Sequence, residues 1–420
     1  MKKVIWTLVM VMCFGCAGCL PEPAGWIVEK QYDIPENIPS GGKIKWTYPF
    51  SSGDEWNVNL AIGSDGTAYL STHNLSYDSV TSSVTDYKIH AINSDGTSKW
   101  FFDFGIDISL LNFTPVIGQD GTLYQLARCK NNSQYSMNLY AISPEGTQKW
   151  IASIPEELMS MGPMIDSTGT IYLQASASYE HPYQLYAFNT DGTEKWATGS
   201  EITRPLSFIG LDGNLYTISD SIGSTSLTKR QATNSSSNST RTLQALNSSD
   251  GSVWREVEIF EDIMPVVSTE GTIYASNENQ LLAYTSEGKR SWTFTAAYYE
   301  NIASLSIGAE NAVYVIADYV ETAPINVRHS QLYALNAEGK IKWQLPIGNG
   351  FPTLHIGPDG TIYLLSDQIL YAVNPDGSWK WRFESEETFT SMTVGPEGMV
   401  YPVSSTGMVY AIKDTGAEGE

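Results

Sequence analysis

The chain repeats one short pattern eight times, and that repetition constrains its fold more than any composition does. The cleanest copy is Gly357 to Phe383, GPDGTIYLLSDQILYAVNPDGSWKWRF. It holds a Pro358-Asp359-Gly360 turn, an apolar strand, a second strand at Leu370–Val373, another Asp-Gly turn and a strand bearing Trp381. Two signatures recur in register. The first is Gly-Thr-Ile-Tyr after an acidic turn, with its tyrosine at Tyr69, Tyr124, Tyr172, Tyr216, Tyr274, Tyr314, Tyr363 and Tyr401. The second is Leu-Tyr-Ala-x-Asn-x-Asp-Gly-x-x-Lys-Trp, ending at Trp46, Trp100, Trp150, Trp196, Trp254, Trp292, Trp343 and Trp381. Those tryptophans lie 38 to 58 residues apart, so the array carries insertions. A period of about 40–50 residues with strand–turn–strand content means a propeller.

Each unit supplies four strands, A to D; in the seventh they are Thr353–Gly357, Thr361–Leu365, Leu370–Asn374 and Lys380–Phe383. The A–B and C–D links are Asp-Gly or Glu-Gly hairpins, where glycine supplies positive φ. The sixth unit is degenerate, with Asn311 in place of the first glycine. Nearly continuous apolar runs indicate sheets covered on both faces. Prolines at Pro115, Pro163, Pro205, Pro265 and Pro352 fall near the start of strand A, which suits an edge strand at the central channel. The array opens with a lone D-like strand at Lys43–Trp46 and closes after a lone C-like strand at Val409–Ile412. The expected fold is all-β: an eight-bladed β-propeller of four-stranded antiparallel blades, closed when the N-terminal strand completes the last blade. Closure removes an open seam.

Residues 1–19 have signal-peptide proportions, with Lys2 and Lys3 before an apolar run too short to span a bilayer. Cys16-Ala17-Gly18-Cys19 resembles a bacterial lipobox, which implies lipidation at Cys19, with Cys16 as the alternative anchor. An ordinary secretory leader or an uncleaved anchor is the competing reading. Residues 20–42 form a Pro-containing tether, 43–413 the propeller, and 414–420 a short acidic tail. Of four cysteines only Cys129 lies in the fold, so no internal disulfide is available. The formal charge of −22 becomes about −24 without Lys2 and Lys3, which argues against nucleic acid and against an electrostatic grip on anionic lipid. These features place the protein in a bacterial cell envelope, membrane-bound through its lipid alone, and on the outer membrane if the cell has two.

Insertions fall in the B–C links at Ser71–Asp86, Ala127–Met137, Gln174–Tyr183, Ser219–Thr240 and Ala317–Ser330. B–C and D–A links emerge on one face, so that face is elaborated, and variable loops on a rigid scaffold are where binding resides. Aromatic residues expected there are Trp56, Tyr77, Tyr135, Tyr179, Tyr183, Tyr298, Tyr299, Tyr319 and Phe351. Arg128, Lys130, Arg204, Lys229, Arg230 and Arg328 share the face with Asp78, Glu156, Glu157, Glu180, Glu300 and Glu321. That mixture fits a protein or glycan partner better than a polyanion; plain growth of surface loops accounts for the same pattern. The propeller itself is expected to be a monomer.

Familiar chemistry is scarce. His73, His90, His181, His329 and His355 show no metal-ligand spacing, and His90 and His355 occupy core-like strand positions. The acidic turns lack a calcium-loop pattern. Ser226-x-x-Lys229 matches a nucleophile dyad by composition only. No catalytic, cofactor-binding or metal residue is assigned, and no cofactor is expected.

The Ala187–Trp196 and Ala334–Trp343 segments resemble the tryptophan-docking repeat of pyrroloquinoline-quinone propellers. The resemblance covers nearly the whole chain past the tether and implies that the repeat tryptophans are structural. Alanine to tryptophan spans ten residues here, one fewer than in the quinoprotein dehydrogenases. Their vicinal disulfide is also missing, so none of their catalytic residues is carried over. A lipidated eight-bladed member is similar to the propeller subunit of the outer-membrane β-barrel assembly machinery, a non-catalytic scaffold. The resemblance thus implies a membrane-anchored binding or assembly scaffold, with a quinone-dependent oxidoreductase as the alternative.

Overall fold

The computed structural model describes residues 34–414 apart from 36, 51–58, 78–81, 106–107, 110–112, 132–133, 155–157, 160–161, 177–182, 199–206, 221–240, 260–263, 298–299, 322–326 and 349–352. All of these lie in one unit, Tyr32–Glu420. Eight antiparallel sheets follow one another, their strands in chain order in all but the last. Blade 1 is Asn59–Ile62, Ala68–Tyr77, Ser82–Ile92 and Ser98–Asp103. Blade 8 takes Phe389–Val394, Val400–Ser404 and Met408–Lys413 from the chain's end and Lys43–Pro49 from its beginning. Lys43 pairs with Lys413 and Pro49 with Met408, so the ring is closed by the first strand. The fold is an eight-bladed β-propeller.

Strand A is the inner strand. Phe389–Val394 touches the A strands on both sides, Asn59–Ile62 and Thr353–Ile356, and the latter also touches Asn301–Ile307. In blades 2 and 3 strand A is broken into two short pieces, Ile108–Ser109 with Val116–Ile117 and Leu158–Met159 with Met164–Ile165. Pro115 and Pro163 immediately precede the second pieces, where a missing N–H costs an edge strand little.

Strands B and C are buried on both faces; Ile171–Ser176 is buried at every residue. The core therefore lies between blades: one cluster joins Tyr124, Leu126 and Leu139 of blade 2 to Ile171, Leu173 and Tyr186 of blade 3. Full burial of each such aliphatic chain contributes about 1.5–3 kcal/mol. The tight turns are pinned by their own aspartates. Asp65 accepts the backbone N–H of Thr67 at 2.9 Å and its hydroxyl at 2.8 Å, while Gly66 takes φ 79°.

Three of the B–C insertions are strand rather than loop. In blades 1, 2 and 6 the ladder runs on to Tyr77↔Ser82, Asn131↔Gln134 and Glu321↔Val327. In blades 5 and 7 it stops at Asn277↔Gln280 and Ser366↔Ile369. One end of the propeller thus carries long hairpins, and the other only tight turns. The end of the supposed tether also belongs to the propeller. Ile38 is buried, with Ile34 beside it, among residues of blades 6 and 7. Gly41 N–H donates to the Arg382 carbonyl, and Arg382 N–H to that of Pro39, both at 2.9 Å. Residues 39–41 therefore line the outer strand of blade 7.

Candidate functional site

The repeat tryptophans form a ring of contacts between blades. The Trp46, Trp100 and Trp150 indoles donate to the carbonyls of Ser94, Pro144 and Thr190 in the next blade's C–D turn, at 2.8, 2.8 and 2.9 Å. Trp196, Trp292 and Trp343 do the same to Ser248, Ala337 and Pro375, at 3.0, 2.8 and 2.9 Å. Each of these rings lies against the glycine of that turn; a Cβ on Gly192 would come within 2.7 Å of Trp150. Within its own blade each docked tryptophan faces the repeat tyrosine, with centroids 5.7–6.0 Å apart. Trp381 packs on Gly41 and Gly42, but its N–H meets no acceptor among the described residues. There the turn is split between the two ends of the chain.

Trp254 does not belong to this ring. Strand pairing puts Arg255 opposite Ala245, the register that Trp196 holds opposite Ala187. Trp254 stands one residue early and is 47% exposed. Arg255 takes over the tryptophan's inward role: Nη2 donates to the Tyr216 hydroxyl at 2.7 Å, with the guanidinium 5.6 Å from that ring's centroid. Tyr216 in turn donates to Asp212 at 2.7 Å. The glycine of the next turn, Gly288, faces Val257 instead of an indole. The blade 4–5 joint thus has no indole contact of the kind the other joints share.

The candidate binding face is only partly described. Trp56, Tyr179, Tyr298, Tyr299 and Phe351 lie outside the described residues, as do Cys16 and Cys19. Tyr77 and Tyr135 are placed near the tips of the blade 1 and blade 2 hairpins, opposite Ser82 and Lys130. Tyr183 is half-buried and packs against the cluster of Tyr172, Leu185 and Trp196, so it serves the core more than the face. Tyr319 stacks on His329 at 6.1 Å and 14°. The described aromatics therefore come from blades 1, 2, 3 and 6.

Glu300, expected as an exposed acid, is 1% exposed. It accepts the Tyr333 hydroxyl at 2.6 Å and the Ala297 N–H at 3.2 Å. Asp318 is buried beside it, paired across the strands with Asn301. Pattern reading takes a carboxylate between strands for a solvated one, and its sequence neighbours give no sign of the tyrosine that covers it.

His90 and His355 settle into packing. His90 lies between the Tyr48 hydroxyl at Nδ1 and the Thr72 hydroxyl at Nε2, both at 3.1 Å. His355, in a channel strand, is held below its usual pKa by burial. Burial, and secondarily Cys129, pushes Tyr140 up to about 12. Burial works to raise Asp166, yet hydrogen bonds from Thr168, Tyr172 and Thr170 outweigh it and hold the carboxyl low. Among the described residues no group of three or more His, Cys, Asp or Glu side chains could hold a metal ion. The same residues contain no helix long and apolar enough to cross a membrane.

No known family profile and no curated protein matches the chain. Solved structures similar to it include a streptogramin B lyase, at 11% identity over 89% of this chain and 98% of that one, with a TM-score of 0.46. Virginiamycin B lyase from Staphylococcus aureus gives 9%, 88%, 99% and 0.47 in the same order. The WD40 β-propeller domain of Doa1 gives 10%, 89%, 97% and 0.44.

Proposed function

We infer that the protein is a membrane-anchored, extracytoplasmic binding or assembly scaffold that presents its hairpin-bearing face to a protein or glycan. The observation that carries this reading is the asymmetry between the two ends of the propeller. Tight, aspartate-pinned turns close one end, and the strand ladders of blades 1, 2 and 6 project from the other. A rigid ring with one elaborated end is how loops are held for recognition. The lipobox-like Cys16–Cys19 segment supplies the anchoring half of the reading. Stable attachment takes more than one acyl chain, which bacterial lipoproteins as a class possess.

The test uses the full-length, lipidated protein. Affinity capture from detergent-solubilised membranes should retain a partner that is lost when the blade 1 and blade 2 hairpins are cut back to four-residue turns. Charge reversal at Asp191, Glu338 and Asp376, in the tight turns of the other end, should leave capture intact. The opposite outcome would assign binding to the wrong face. Cys19→Ser should leave an unprocessed precursor that takes up no labelled palmitate, and loss confined to Cys16→Ser would move the anchor to that residue.

A further inference from the structure

In every blade but the seventh, the outer strand is an edge with no partner strand among the described residues, and such edges invite another chain. In six blades the residue that bulges from this edge, just before the tryptophan register, is a lysine: Lys45, Lys99, Lys149, Lys195, Lys342 or Lys380. A charged lysine at an edge discourages added strands, although Lys99, Lys149, Lys195 and Lys380 also reach back to a threonine hydroxyl of their own blade. Blade 5 has Ser291 there, its hydroxyl turned back onto the Ala283 carbonyl at 3.1 Å. The edge of blade 7 is already occupied, because residues 39–41 of the chain itself bridge to Arg382.

Blade 4 differs on every count. Its bulge residue is Trp254, next to an exposed Val253, and Glu256 and Glu258 follow at two-residue spacing, both exposed. Alternation along a strand puts Glu256 and Glu258 on one side, with Val257 and Ile259 buried on the other. Arg255 lies 4.9 Å from the Trp254 ring centroid and is fixed from below by Tyr216 and Asp212. The indole is therefore held against a positioned guanidinium. Tryptophan and arginine are among the residues most enriched at the hot spots of protein interfaces.

We propose that the edge strand Val253–Ile259 docks an extended, basic segment of a partner protein, which adds to blade 4 as a fifth strand. An apolar side chain of that segment covers Trp254, and its lysines or arginines meet Glu256 and Glu258 at the matching two-residue period. Charge selects this occupant: with −22 on the chain, a second copy brings like charge, whereas a basic segment is complementary. The molecule already uses this mode at blade 7, and strand addition is a general way of binding extended peptides. The site is on the outer edge of blade 4, with Trp254 beside the tight turn of Gly251, so it stands or falls separately from the scaffold reading.

The probe is an acetylated, fluorescein-labelled heptapeptide of alternating lysine and valine, titrated with the folded protein in dilute salt and followed by anisotropy. Saturable one-to-one binding is expected. Trp254→Ser, which installs the residue blade 5 carries at this register, should weaken it at least tenfold without altering the fold. Glu256→Gln with Glu258→Gln should weaken it further and flatten its salt dependence. Amide exchange along Val253–Ile259 should slow in the complex. Equal affinity in Trp254→Ser, slowed exchange elsewhere but not on this strand, or the absence of saturable binding would each overturn the proposal. So would equal binding of a glutamate–valine peptide.

Discussion

Trp46, in the first strand of the propeller, donates its indole N–H to the Ser94 carbonyl at 2.8 Å and so ties blade 8 to blade 1. Its ring lies on Gly96, which has φ 87° and no room for a Cβ: one built there comes within 2.6 Å of the tryptophan. Gly96→Ala therefore meets two penalties, about 1–2 kcal/mol for the left-handed backbone and about 1–3 kcal/mol for overpacking. Guanidinium unfolding should show a loss of about 2–5 kcal/mol.

The tryptophans should separate into two classes. Trp196 is 9% exposed, docked on Gly251 and bonded to Ser248, so Trp196→Ala should cost about 3–5 kcal/mol. Trp254→Ala, which removes only an exposed ring and its contact with Arg255, should stay within about 1 kcal/mol of the parent. Melting curves of the two variants check this; equal losses would put Trp254 back in the ring.

Blade 4 should tolerate a short cut. Asp220 already pairs with Arg241, so the strand ends that flank residues 221–240 are adjacent. Replacing those residues by a four-residue turn should preserve the fold and raise stability by about 1 kcal/mol through a smaller closure cost. Urea unfolding of the shortened chain measures the change.

The dependence on pH should have two shoulders. Asp95, Asp191, Asp250 and Asp376 are held below the usual aspartate pKa, in each case first by the hydroxyl of the Thr or Ser two residues on. Their contribution is present above the unfolded pKa of about 3.9 and is lost as pH falls through the lower folded values. Tyr124, Tyr140 and Tyr410 are pushed up to about 12, mainly by burial. What they contribute is intact below about 10 and is lost as pH rises towards 12. The melting temperature should be level between these limits and drop on both sides; a steady decline from pH 6 to 9 would contradict this assignment.

The blades were legible because the same turn chemistry is written eight times, and a hairpin glycine has few alternative uses. What escaped was written only once. Trp254 follows its turn glycine by three residues, whereas Trp196 follows Gly251's counterpart, Gly192, by four. That count was available, but a motif match by composition passes over a one-residue slip that turns a side chain to the other face. The hairpin of blade 1 looks like a loop because Ser82, Ser83 and Asp86 are polar, yet Val84 and Tyr87 stand among them on a paired strand. Ile34 and Ile38 are apolar residues in a proline-rich stretch, and their docking depends on a groove built by blades 6 and 7. Glu300 owes its burial to Tyr333, a neighbour in space that no local pattern announces.

The pairing of Lys43 with Lys413 has a consequence for how the molecule is made. The first strand of the propeller must wait for Met408–Lys413, and the intervening chain has to be brought together before that pair can form. Contacts so distant in sequence are slow to form. Until Met408–Lys413 is available, Lys43–Pro49 lacks its strand partner, and an incomplete chain keeps two raw edges of the kind that aggregate. A product that stops short of Met408–Lys413 therefore cannot seal its ring, and those edges stay open.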